Sequence, residues 1–176
     1  RIVDQLHSNK ANKYDYVIIE GGFNDAMGEN AKPAAVATAA AVGKISESFV
    51  VSDFDTSTFA GAFEETLYYA KQYFPNAKLG FIITYSTPLS EYGGHTANIE
   101  KMAEYWNVSK KICDKWGISY LDLFSGTSSD GKSYSKDILK TSETAYFPGN
   151  GDCIHLNSAG YDVIAPYISE WYKKIK

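Results

Sequence analysis

In the stretch NGDCIHLNSAGY, Asp152 and His155 stand three residues apart. In a turn or helical geometry that spacing puts a carboxylate and an imidazole on one side, within hydrogen-bonding reach. An Asp that accepts from one ring N–H fixes the imidazole tautomer and stabilises the imidazolium formed when the ring takes a proton. His155 is therefore a candidate general base. On these residues alone the alternative stays open, with Asp152 capping the last helix and His155 a surface side chain. A second stretch, YDYVIIEGGFNDAMGEN, runs an apolar segment from Tyr16 to Ile19 into two glycines and an adjacent Asn24–Asp25 pair. A β-branched run ended by turn residues has the signature of a buried strand. Side chains just past the carboxyl end of such a strand face the crevice where open α/β sheets keep their ligands. Gly22 leaves room for the turn that aims Asn24, and Asp25 is placed to accept from loop amides.

The elements that must position these residues follow from periodicity. RIVDQLHSNK has Ile2, Val3 and Leu6 on one helical face. Residues 26 to about 57 form a long connection whose Ala-rich centre, AKPAAVATAAAVGKI, is expected to be a short helix over the crevice. TFAGAFEETLYYAKQYF has helical spacing through Phe59, Phe63, Leu67 and Ala70, and ends at Pro75 and Asn76. A second buried strand runs from Leu79 to Thr84. The helix TANIEKMAEYWNVSKKICDKWG repeats Ile99, Met102, Trp106, Ser109 and Cys113 on a face, with Gly117 as its C-cap. ISYLDLF is a third strand. SAGYDVIAPYISEWYKKIK is the last helix, with Ser158 as the expected N-cap. Strands alternating with helices imply one domain, residues 1–176, of α/β class: a three-layer α/β/α arrangement around a parallel sheet. Loops that begin near Gly21, Tyr85 and Phe124 then open on one edge of the sheet.

Composition narrows the partners. Lys plus Arg number 17 against 21 Asp plus Glu, a formal charge of −4 with no run of either sign, which argues against nucleic acid. No stretch approaches the roughly 18 consecutive apolar residues of a membrane span. Cys113 and Cys153 are too few for a disulfide scaffold and lack paired zinc-site spacing. A calcium-loop pattern from Asp53 to Glu64 has Thr58 where the sharp turn needs Gly. Neither a metal nor a cofactor is expected. The 14 tyrosines hint at flat or sugar-like ligands. Tyr85, His95, Tyr146 and Phe147 flank the site edge, where they can hold a sugar or acyl chain or simply pack.

The two motifs together carry a resemblance. GFND after the first strand and DCIH before the last helix are similar to the G-x-N-D and D-x-x-H blocks of the SGNH (GDSL-type) serine hydrolase family. The similarity runs from Tyr14 to the end of the chain. It implies a flavodoxin-like fold in which Asn24 donates to the oxyanion, His155 is the base and Asp152 orients it, with Gly22 and Asp25 supporting the site and no cofactor. Acyl transfer needs a donor where negative charge develops, and a carboxamide N–H supplies one.

The departure is the nucleophile. The family's G-D-S block, and the second block with its oxyanion glycine, are not in the 176 residues. Because the chain opens inside a helix and without Met, upstream residues are expected to be missing, together with any signal peptide that would fix the compartment. On the order of 30 residues would supply the missing strands and crossover helix. Ser86 and Ser125 follow strands but sit in no strand-to-helix elbow, so neither is expected to substitute. The resemblance implies an acyl esterase, with acetylated carbohydrates as a substrate class, that is inactive as these 176 residues alone. The rival is a non-catalytic α/β module that binds glycans or protein.

Overall fold

The structure, a computed structural model, describes residues 2–30, 40–85, 91–92, 95–96, 99–131, 143–148 and 155–175. In chain order these form α1 (Ile2–Asn9), β1 (Tyr16–Glu20), α2 (Phe23–Asn30), α3 (Phe59–Tyr73) and β2 (Lys78–Ile83). There follow β3 (Glu91–Tyr92), β4 (His95–Thr96), α4 (Ile99–Trp116), β5 (Ser119–Asp122), β6 (Thr127–Ser128), α5 (Glu143–Tyr146) and α6 (Ser158–Tyr172).

The main sheet has the order β1-β2-β5-β6. β1, β2 and β5 are parallel, as helical crossovers require, and β6 turns back antiparallel on β5 at the far edge. β1 is bonded on one side, to β2, with Ile18 opposite Gly80 and Glu20 opposite Ile82. Its other side is a sheet edge among the described residues, flanked by a groove of about 410 Å³ that Tyr14, Ile18 and residues of α1 line.

Period-2 alternation sends the strands' side chains into two cores. Phe81 and Ile83 pack with Leu6, Phe63, Leu67, Tyr105 and Trp106 on the side of α1, α3 and α4. Ile82 packs with Leu121, Phe147, Ile164 and Trp171 on the side of α6. Full burial of each such side chain contributes about 1.5–3 kcal/mol. Gly80 lets α6 approach, because a Cβ there would lie 2.7 Å from Trp171 Cη2.

The helix ends follow cap chemistry. Thr58 Oγ1 accepts from Gly61 N at 3.2 Å at the start of α3. At the end of α4, Gly117 N donates to Asp114 O and Ile118 N to Cys113 O, the Schellman pattern expected of a glycine there. Met102, Trp106, Ser109 and Cys113 are buried as α4's spacing predicts, and burial pushes the Cys113 thiol pKa up. Ser158 is not the cap of α6. Its neighbour Asn157 is, with Oδ1 accepting from Gly160 N at 3.0 Å.

The connection after β1 also differs from expectation. Residues 23–30 are helical, and Ala40 to Val42 have no regular structure and clip onto the start of α3 through Phe59 N to Ala41 O and Ala60 N to Val42 O. Residues 31–39 of the Ala-rich stretch lie outside the described residues.

Candidate active site

Gly22 makes the turn that separates β1 from α2. Its φ is +88°, and a Cβ at this position would come within 2.6 Å of the Phe59 ring, so both backbone and packing call for glycine. Its carbonyl accepts from Ala26 N at 3.0 Å, closing the first turn of α2. Asn24 is thereby lifted onto the carboxyl edge of the sheet, exposed, its carboxamide without a hydrogen-bond partner among the described residues. Asp25 Oδ1 accepts from Ala40 N at 3.3 Å.

Two cavities meet at Asn24. One, of about 450 Å³, lies between β1, β2 and α6 and is lined by Glu20, Asn24, Thr84, Tyr85, His155 and Tyr161, among others. The other, of about 660 Å³, lies towards α1 and α3, with Phe59, Phe63 and Phe81 as its apolar lining and Gly21, Gly22, Asn24 and Asp25 at its rim. Both fall in the size range of small-molecule sites. Asn24 and His155, far apart in sequence, thus line one cavity at the carboxyl end of a parallel sheet, the edge where such folds bind ligands.

His155 is exposed, two residues before the Asn157 cap. Asn157 also ties α6 to the segment before it: its Nδ2 donates to Ala145 O and Phe147 O, and its backbone N to Tyr146 O at 2.8 Å. This clamp sets the direction in which the chain leaves His155. Sequence reading missed it because two cap-forming residues are adjacent. Asp152 lies outside the described residues, as do Cys153, Ser86 and the side chain of His95, whose backbone forms part of β4.

Tyr85 lines the 450 Å³ cavity, with Phe147 edge-on at 6.0 Å. Phe147 itself is 1% exposed. It supports that wall from the core. Tyr146 is half-buried, its carbonyl engaged by Asn157. Ser125 is held by Asp122, to which its hydroxyl and its N–H both donate. That is turn chemistry, with Lys110 Nζ completing the buried Asp122 at 2.9 Å. Among the described residues no group of three or more His, Cys, Asp or Glu is arranged to hold a metal ion. Glu64, the last position of the calcium-loop pattern, is turned inward against Lys115.

Comparisons with known proteins agree with this fold. The family model described as GDSL-like Lipase/Acylhydrolase matches residues 1–163. No curated protein matches the chain. A solved structure from Lactobacillus plantarum is 19% identical, with a TM-score of 0.63, over 91% of this chain and 67% of that one. A structure titled a possible lipase, from Chitinophaga pinensis, is 15% identical with a TM-score of 0.63, over 98% of this chain and 77% of that one. A third, 22% identical with a TM-score of 0.64, is matched over 92% of this chain, which spans 65% of that protein's length. At these identities the likeness is one of fold.

Proposed function

Because this chain belongs to the GDSL-like lipase/acylhydrolase family, we propose that it is the greater part of a serine-dependent ester hydrolase whose nucleophile is supplied by residues outside these 176. The observation that carries the reading is the shared cavity of Asn24 and His155 at the carboxyl edge of the sheet. A second observation supports the location of the nucleophile. Among the described residues β1 has a sheet edge flanked by a groove, and a parallel strand added there would end beside Asn24.

In this mechanism the serine oxygen bonds to the ester carbonyl carbon as its proton passes to His155, which Asp152 orients. Asn24 and two backbone N–H groups hold the oxyanion. Collapse breaks the bond to the alcohol, which takes the proton from His155 and leaves an acyl-serine. Water then adds with His155 again as base, and the acid departs. The substrate is an acyl ester, and the aromatic-lined edge favours small acyl groups on carbohydrate.

The rival is a non-catalytic binding module, which the absence of a G-D-S block from the upstream coding sequence would favour. Turnover of p-nitrophenyl acetate separates the two. The full-length gene product hydrolyses it and residues 1–176 alone do not; an inactive full-length product, folded by circular dichroism, would leave the binding module.

A further inference from the structure

The buried acidic side chains among the described residues, Glu64 and Asp122, are satisfied. Glu64 receives Lys115 Nζ, Ser46 N and Trp116 Nε1. Asp122, at the end of β5, receives Lys110 Nζ and both donors of Ser125. Glu20, at the corresponding end of β1, is different. Its carboxyl has no hydrogen-bond or ion-pair partner among the described residues. It keeps an exposed flank, yet surrounding protein desolvates the carboxyl and pushes its pKa above the ordinary value.

Its direction follows from the strand. Tyr16 stacks on Tyr172 of α6 with ring centroids 4.3 Å apart, Ile18 lies opposite Gly80, which Trp171 covers, and Glu20 continues that alternation towards α6. Glu20 lines the cavity that holds Asn24 and His155, the cavity beyond Asn24, and the groove along β1. Water reaches the carboxyl on its exposed flank, and ligand hydroxyls that displace that water can donate to the same oxygens. Two carboxylate oxygens suit a pair of hydroxyls, and ionised acceptors make the stronger hydrogen bonds.

We propose that Glu20 is a specificity-determining residue whose carboxylate accepts hydrogen bonds from hydroxyl groups on the alcohol part of the ester, in the cavity between β1, β2 and α6. The inference rests on the ester-hydrolase reading and names the chemistry of its leaving group: a polyol or sugar alcohol, whose apolar face Tyr85 and Tyr161 cover from the same cavity.

The test compares glycerol monoacetate with propyl acetate, of like length but without free hydroxyls, in the full-length gene product. Glu20→Gln is expected to lower kcat/KM for glycerol monoacetate about tenfold or more beyond any loss on propyl acetate, chiefly through KM, with partial recovery in Glu20→Asp. Equal changes on both esters overturn the proposal. With acetylcholine as a third ester, a loss confined to it overturns the proposal in favour of a cation site. Equal changes joined to a fall in melting temperature place the partner of Glu20 in the protein. If the full-length product hydrolyses neither ester, the failure is that of the enzyme reading, and binding of methyl β-glucoside by saturation-transfer NMR decides for Glu20: binding lost in Glu20→Gln supports it, whereas binding retained, or absent from the unsubstituted protein, overturns it.

Discussion

The Glu64–Lys115 cluster and the crevice around Asn24 use the same kinds of side chain to opposite ends. In the first, Lys115 Nζ lies 2.5 Å from Glu64 Oε1 and also donates to Ser46 O and Ser48 O, over the Phe49 ring. These contacts bind the segment after Ala40 to α3 and α4, and they complete the polar atoms they bury. In the second, the Asn24 carboxamide and the Glu20 carboxylate have no such partners among the described residues and face open cavities. Satisfied polar atoms hold a fold together; polar atoms aimed into space and held in place by a satisfied frame are where chemistry is to be sought. Ala40 joins the two regions. Its N–H donates to Asp25 and its carbonyl accepts from Tyr105 Oη at 3.0 Å, so the frame reaches the residue next to Asn24.

Substitutions break the comparison from its two sides. In the full-length gene product His155→Ala should lower kcat by about 10³-fold or more with an unchanged melting temperature, and a loss under about tenfold would remove it as general base. Asn24→Ala should cost about 10²–10³ in kcat, again without a change in stability, the scale of one lost oxyanion donor. Lys115→Met works in the other direction. It leaves Glu64 buried and unpaired, so denaturant titration should show a loss of about 3–5 kcal/mol. Asn157→Ala removes a cap and its two tethers, a loss of about 1–2 kcal/mol by the same measurement.

The smallest effect concerns Glu20 in the 176-residue chain. Burial raises its folded-state pKa from the ordinary 4.5. For an acid this means the folded protein favours the protonated form, so stability is present below the unfolded pKa and declines as pH rises through the folded one. Glu20→Gln should therefore melt slightly higher than the parent at neutral pH and alike in acid below the ordinary carboxylate value. A variant that melts lower at pH 7 would show that the carboxylate is stabilised by a partner within the protein.

Much of this frame was legible in the sequence where period and caps agree. α3, α4 and α6 carry long apolar stripes bounded by Thr58, Gly117 and the Asn157–Ser158 pair, and β1 and β2 are apolar runs closed by turn residues. α2 was not legible. FNDAMGEN has few apolar residues and the turn formers Asn24, Asp25 and Gly28, and it is helical because Gly22 turns the chain and Ala26 is buried. The choice of Asn157 over Ser158 was also hidden, since both cap helices and the tethers to Ala145 and Phe147 decide between them. At the site, Asn24 and His155 were marked by their spacing to neighbours. Glu20 was not, because one acid at a strand end looks like the strand leaving the core, and the recess that desolvates it is built by elements distant in sequence.

Labelling of the full-length gene product with a fluorophosphonate, followed by digestion and mass spectrometry, tests the central claim most directly. The account predicts one adduct, on a serine in a peptide outside residues 1–176, absent from the His155→Ala protein. An adduct on a serine within these residues, or hydrolysis of esters with no adduct, would contradict it.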